Sequence, residues 1–482
     1  MKPQNVSRTV LAAGVGAVLA ATALLYVPEF VDQGPPSPPG PAERATVAAR
    51  AGAPAALPDL TALISDREQW VRAHPEDGAS WAELGAAYTE RGTRLGDARE
   101  YPKAERALQR SLAERPAARG NLDAPLGLAA LAVARGDWRT ARKWGEQVRK
   151  AAPKRWPVYP VLIDAYNGLG AYAAARKAME DLEELHAGAV VRARASQTYR
   201  DRGWREDADA AALDAVALAD SDAERAAALG RLGDLAWERG EPEEARARYG
   251  AALRLVRDHG PSLAGRARAL AALGRPDEAL RDWRAALVRL PLPEYLLEAG
   301  ELYESLGRDG EARALYERLR KGTWTGAEVP LGLLDADHGD PADAAVRMRA
   351  EWARGHRSVG TADALGWALH RSGASKEALG YAKLATEEGR RSALFTYHRG
   401  AIERALDRPG PARRHLEEAL RINPDFSPLH ARTAEEALAA LGEPSVELPP
   451  ELGSPASAAR SGPTAAPPTR AKGGDAPEAA RD

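Results

Sequence analysis

Cysteine is absent from the 482-residue chain. That excludes disulfides, thiolate-held zinc, iron–sulfur clusters and cysteine nucleophiles, but it fixes no compartment, because an exported protein need not carry disulfides. Phe and Met occur 3 times each and aromatics reach only 6%, too few for a large aromatic β core. Charge of one sign is also missing. Lys+Arg is 67 against Asp+Glu 69, a formal net charge of −2, without the basic excess that nucleic-acid binding draws on. No G-x-S-x-G, H-E-x-x-H, phosphate-binding loop or calcium-loop pattern occurs. The reading is therefore non-enzymatic, with no cofactor, no metal and no nucleic-acid partner. What remains is an alanine-, leucine-, arginine- and glutamate-rich chain with 28% charged residues, a composition that reads as all-α.

The chain divides into four stretches. In residues 1–27, Lys2 and Arg8 precede an uncharged run from Val10 to Val27. As a helix that run spans about 27 Å, close to the hydrocarbon thickness of a bilayer. It reads as an uncleaved anchor through residues 10–27. The alternative is a signal peptide cut after Ala21-Thr22-Ala23, although Leu24, Leu25, Tyr26 and Val27 continue the apolar run. Basic residues before the run, with Glu29 and Asp32 after it, place the bulk of the chain outside the cytoplasm. Residues 28–57 read as a spacer stiffened by Pro35-Pro36-Ser37-Pro38-Pro39-Gly40-Pro41, expected to be extended polyproline rather than helix. Residues 58–442 hold the periodic region. Residues 443–482 are rich in Pro, Ala, Gly and Ser without periodicity and read as a disordered tail.

Between Leu57 and Gly442 a 34-residue period fits about eleven times. The seed is Trp81-Ala82-Glu83-Leu84-Gly85-Ala86-Ala87-Tyr88, closed by Ala104, Leu108 and Pro116. Later units align on an alanine of their second helix: Ala141, Ala175, Ala208, Ala245, Ala279 and Ala312, then Ala344, Ala378 and Ala412. Five residues earlier the turn should favour glycine, which takes the left-handed conformation without a Cβ clash. It holds Gly136, Gly170, Gly203, Gly240, Gly274, Gly307, Gly339 and Gly373. Gly92 fills the position in the first unit, allowing for an insertion around Thr93–Arg99, and Asp407 departs from it in the tenth. Pro242, Pro276 and Pro341 suit the first turn of the second helix. In one such helix Ala279, Trp283, Ala286 and Leu290 fall on one apolar face. Met348 and Glu351 fit their apolar slots poorly. Asp59–Ala73 reads as a leading helix with Leu60, Leu63 and Trp70 on one face, and Ser427–Leu441 as a closing one.

The W-x-x-L-G-x-x-Y seed, the turn glycines and the second-helix alanines resemble the tetratricopeptide-repeat family over about four-fifths of the chain. The resemblance implies a right-handed α-solenoid of about ten helix-turn-helix repeats, preceded by one transmembrane or signal helix. It also implies a concave face made by the first helix of each repeat, where a protein or peptide partner binds. Mapped by register, that face offers Asp164, Asn167, Gln197, Arg200, Asp234, Trp237 and Arg268, then Glu301, Glu304, Trp367, His370, Tyr397 and Arg404. Trp237 and Trp367 weigh most, as contacts if exposed and as packing if not. Chaperone-binding members place a Lys and an Asn where this chain has Ala82 and Ala86, so that activity is not expected. Asp335-Ala336-Asp337-His338-Gly339-Asp340 crowds carboxylates and a histidine, but the register makes it a helix end, a turn and an N-cap rather than a metal site. Glu180-Asp181-Leu182-Glu183-Glu184 reads as a solvated helix face, and His398 and His415 as structural residues that could approach each other.

The functional expectation is a membrane-tethered, extracytoplasmic scaffold that binds a polypeptide in its groove. Alternatives are an envelope or cytochrome c-type assembly factor, known by layout alone, and a cytoplasmic regulatory repeat protein.

Overall fold

The computed structural model describes residues 38–442. The uncharged run 10–27 and the tail 443–482 lie outside them. No helix among the described residues is long and apolar enough to cross a membrane.

The first element, α1 (Pro41–Ala51), corrects the expectation of an extended spacer. Its first residue is the last proline of the run, a position whose N–H no helix uses, and Ala42 to Arg50 are mostly good helix formers. Arg44 bridges forward to Asp59 at 2.6 Å, and Ala45 is buried. Helix α2 (Leu57–Ala73) buries Leu60 and Leu63 as expected. Trp70 does not join them: it is 45% exposed, stacks on His74 and donates to Asp77.

Ten helix pairs follow. They are α3 (Gly78–Leu95) with α4 (Tyr101–Glu114), α5 (Asp123–Ala134) with α6 (Trp138–Ala151), and α7 (Val158–Gly168) with α8 (Tyr172–Leu185). Next come α9 (Ala189–Arg200) with α10 (Arg205–Leu218), α11 (Asp222–Glu238) with α12 (Pro242–Leu255), and α13 (Gly260–Ala272) with α14 (Pro276–Arg289). The last four are α15 (Pro293–Ser305) with α16 (Asp309–Lys321), α17 (Glu328–His338) with α18 (Pro341–Ala353), α19 (Val359–Arg371) with α20 (Ser375–Glu387), and α21 (Ala393–Ala405) with α22 (Pro409–Ile422). Helix α23 (His430–Ala440) closes the array on Ala434 and Ala437. The first helix of a pair is called A and the second B.

The turns explain the period. Seven of the expected glycines, from Gly136 to Gly373, have φ between 68 and 90°. Gly92 is a correction: it lies inside α3 against Tyr101, and the insertion lengthens the helix until Gly96 turns it at φ 61°. Gly339 is another, with φ −138°; there the chain reverses through Asp340, whose side chain caps α18 by accepting from the Ala342 N–H at 2.8 Å. Asp407 sits where the tenth glycine is missing and is the one non-glycine with positive φ, 54°, among the described residues. Asp407→Gly should therefore raise stability by about 0.5–1 kcal/mol, relieving left-handed strain. Urea denaturation of the two proteins checks it; a loss of stability would mean that the carboxylate has a role the turn does not reveal.

In several pairs B inserts a bulky side chain against small residues of its own A helix and of the next. Tyr249 is the clearest case, because a Cβ at Gly233 or Gly265 would approach its ring to 2.6 or 2.2 Å. Met348, expected to fit poorly, is fully buried and fills the same slot against Gly332. Ala279, Trp283, Ala286 and Leu290 are all buried, as their spacing requires. Each B helix packs on the next A helix, and neighbouring A helices also touch, which B helices do not do to a comparable extent among the described residues. The A side is therefore the inner side of the curve.

The curve closes on itself. The A–B turns of early pairs meet the loops that follow B helices five pairs later. The Arg357 N–H donates to the Gly168 carbonyl at 3.1 Å, and the Val359 N–H to the Tyr172 hydroxyl at 2.8 Å. Asn423 donates to the Trp237 carbonyl at 2.8 Å, and Thr325 to the Ala134 carbonyl at 3.5 Å. The side-chain contacts in this series join residues 186, 187 and 191 apart, so successive turns of the coil lie edge to edge.

Candidate functional site

The inner face is laced by polar links between neighbouring A helices. Asp164 on α7 pairs with Arg194 on α9, and Arg200 on α9 with Glu238 on α11 at 2.7 Å. Arg268 on α13 pairs with Glu298 on α15 at 2.9 Å. Trp367 on α19 donates to Asp337 on α17 at 3.0 Å, and His398 on α21 pairs with Asp363 on α19 at 3.0 Å. Each link fastens one repeat to the next. Several candidate side chains are thus committed to the coil itself.

The remaining candidates sort in the same way. Asp234 accepts from the Tyr249 hydroxyl at 2.8 Å, and Glu304 from the Tyr316 hydroxyl at 2.8 Å. Trp237 is half-buried against the cluster of Ala236, Ala245, Tyr249 and Ala269. Trp367 is only 3% exposed and stacks on His398 with centroids 4.1 Å apart, which makes it core rather than contact surface. Tyr397 is likewise buried. His370 bonds Ser375 at 3.0 Å, and burial followed by the nearby Arg371 charge lowers its imidazole to about 4. Arg404 is exposed. His398 and His415 take separate partners, Asp363 and Glu403, instead of approaching each other as a pair. In the Asp335–Asp340 stretch Asp340 caps the following helix as expected, while Asp335 pairs with Arg320 at 3.1 Å and Asp337 accepts from Trp367 at 3.0 Å.

Glu301 stands apart. Among the described residues it has no hydrogen bond or ion pair, and it is half-buried beside Glu298, Asp337 and Glu304. Burial first, then those three charges, push its carboxyl up to about 8. The folded chain thus keeps a proton that the unfolded chain, at an ordinary value of 4.5, has already released, so stability falls as pH rises from 4.5 through 8. Glu301→Gln should leave stability unchanged near pH 4. Near pH 9 it should add about 1–2 kcal/mol, discounted for the solvent that reaches the group. Denaturation midpoints at both pH values check this; an equal change at both would contradict it.

Asp164, Asn167 and Gln197 do come together, on the wall of a cavity of about 1430 Å3. Its floor is the inner face and A–B turns of the second to fifth pairs. Its roof is formed by three loops of the following turn of the coil, around Trp324–Val329, Glu351–Thr361 and Glu388–Arg390. Trp138, Tyr172, Trp204 and Trp324 supply aromatic surface, and Val190 and Val329 aliphatic surface. Trp204 is 48% exposed. Between them stand Arg202, Arg231 and Arg390. The register missed these residues because it assigns positions within a repeat and says nothing of which distant loop covers them. The available signal was Arg202-Gly203-Trp204, an arginine and a large aromatic flanking a turn that needed only its glycine.

No protein family matches the chain, and no curated protein matches it. Among solved structures, the chain is similar to a tetratricopeptide repeat protein from Parabacteroides merdae, at 19% identity over 52% of this chain and 98% of that one, with a TM-score of 0.32. It is similar also to the APC/C hetero-tetramer Cut9–Hcn1, at 15% identity over 80% and 82% of the two chains, with a TM-score of 0.41. Yeast Tom70 is similar at 14% identity over 74% and 96%, with a TM-score of 0.33.

Proposed function

We propose that this chain is a non-catalytic interaction scaffold that holds a polypeptide segment in the cavity between successive turns of its coil. The supporting observation is the roofed space itself. At about 1430 Å3 it exceeds the roughly 300–1,000 Å3 of ordinary small-molecule pockets, and it alternates aromatic surface with guanidinium donors, the mixture typical of protein contacts. The membrane tether and extracytoplasmic placement belong to the same proposal and rest on the basic-then-apolar order of residues 1–27. An assembly factor for an exported client fits that placement; a cytoplasmic regulator would need the N-terminal run to have another purpose.

A photo-crosslinking residue at Val190, on the cavity wall, compared with one at Val288, which is 79% exposed elsewhere, tests the scaffold. Adducts to a polypeptide are expected from position 190 alone. Equal or absent labelling at the two positions would sink the reading. For placement, a tag at the C-terminus should be cut by protease added to intact cells; protection until lysis would overturn the extracytoplasmic part.

A further inference from the structure

Several charged side chains on the cavity wall are already paired. Arg194 holds Asp164, Arg354 holds Glu351, and Arg135 holds Glu105 at 2.9 Å. Asp201 accepts twice from Gln197 at 3.0 Å. Arg139 and Arg176, both exposed, have no carboxylate partner among the described residues, and three half-buried arginines also differ. Arg231 makes no hydrogen bond; its closest carboxylate oxygen, on Asp234, is 3.9 Å away, beyond hydrogen-bond reach. Burial, opposed by Asp234 but reinforced by the charges of Arg200 and Arg194, holds its guanidinium below the usual range. Arg202 has no carboxylate partner among the described residues and lies 5.0 Å from the centre of the Trp204 ring. The Nε of Arg390 is buried without an acceptor, and among the described residues its one carboxylate contact is Glu238 at 3.5 Å.

We infer that the cavity takes an anionic polypeptide segment, an extended stretch bearing carboxylates between bulky apolar side chains. The inference rests on the scaffold reading and names its partner's chemistry. Each guanidinium brings five N–H donors in a planar fork, and leaving them without acceptors in a partly desolvated space is costly. An incoming carboxylate satisfies two donors at once and gains from the reduced screening there. Trp204, Trp324 and Val190 offer apolar surface beside the charges. A continuous phosphate backbone fits less well, because Asp201, Glu328 and Glu388 stand on the same wall and no lysine does.

The test uses the full chain and two fluorescein-labelled peptide libraries, one built from Glu, Leu, Phe and Ser, the other with Lys in place of Glu. Anisotropy should show binding of the glutamate library, weakening with salt, and little binding of the lysine library. Arg202→Met with Arg231→Met should weaken the glutamate library roughly tenfold or more with little change in the denaturation midpoint, since Arg231 gives up only a 3.9 Å approach to Asp234 and a minor charge effect on Glu238 while relieving its own burial. Arg176→Glu, on the exposed rim, serves if that double variant folds poorly; it should also weaken binding and steepen no other property. Preference for the lysine library, or binding indifferent to all three arginines, would overturn the anionic assignment while leaving the scaffold intact. So would displacement of the glutamate library by a single-stranded oligonucleotide. If neither library labels the crosslinker at Val190, the scaffold reading fails with it.

Discussion

Glu238→Gln should be among the most damaging single changes in the chain, lowering stability at neutral pH by about 3 kcal/mol. Glu238 ends α11 where two turns of the coil meet. Its carboxylate accepts from Arg200 Nε at 2.7 Å and faces Arg390 at 3.5 Å, and its carbonyl faces Arg205 at 3.5 Å. Burial alone would raise the Glu238 carboxyl, but the charge and hydrogen bond of Arg200, followed by the Arg390 and Arg231 charges, hold it at about 2. A glutamine keeps the shape and removes the charge, so three arginines would face one another across the junction. The sign with pH follows from the depressed value. The stabilisation is complete above the ordinary 4.5 and disappears as pH falls toward 2. The gap between wild type and variant should therefore be constant above about pH 5 and close below it. Because repeat arrays yield locally, hydrogen exchange at residues 203–205 and 389–391 should accelerate first. An unchanged exchange pattern there would mean that Glu238 is a surface residue.

The second large effect separates contact between turns from backbone strain. Gly170 and Gly274 occupy equivalent turns with φ of 69 and 68°. A Cβ at Gly274 would meet nothing within 4 Å, whereas one at Gly170 would lie 2.5 Å from the Arg357 carbonyl oxygen. Gly274→Ala should cost about 1 kcal/mol, the strain of a left-handed alanine. Gly170→Ala carries the same strain and must also displace the 357 loop, breaking its bonds to Gly168 and Tyr172. It should cost about 2 kcal/mol more. Gly203→Ala should behave like Gly170→Ala, its Cβ being 2.4 Å from the Gly389 carbonyl oxygen. Denaturant midpoints of the three variants decide it. Equal losses at 170 and 274 would show that the turns of the coil are apart.

What the sequence made legible was local. Turn glycines, second-helix alanines and capping residues act within one repeat, so their period located all ten pairs and even identified Asp407 as the position lacking its glycine. Sequence and structure differ at the first helix and at Trp70, Gly92, Gly339 and Met348, where packing or an insertion overrides the local pattern. By composition a proline that begins a helix looks the same as one that stiffens a spacer, which hides α1, and whether Met348 fits depends on the space beside Gly332 rather than on its residue type. The inner-face candidates were placed on the right helices, but register cannot show that Arg200, Arg268 and Trp367 reach the next repeat and are used there. The cavity was illegible for a deeper reason. Its roof depends on how much each pair rotates relative to the last, a small angle set by packing and summed over five repeats before distant loops meet.

The closure between turns is the claim on which the cavity, its arginines and the proposed partner all depend. The chain has no native cysteine, so cysteines introduced at the exposed Ala173 and Arg357 can carry a pair of spin labels without background. Electron double resonance in dilute solution should give one narrow, short distance, as the bonds from Val359 to Tyr172 and from Arg357 to Gly168 require. A broad distribution centred at long distance would show an open coil and contradict the account.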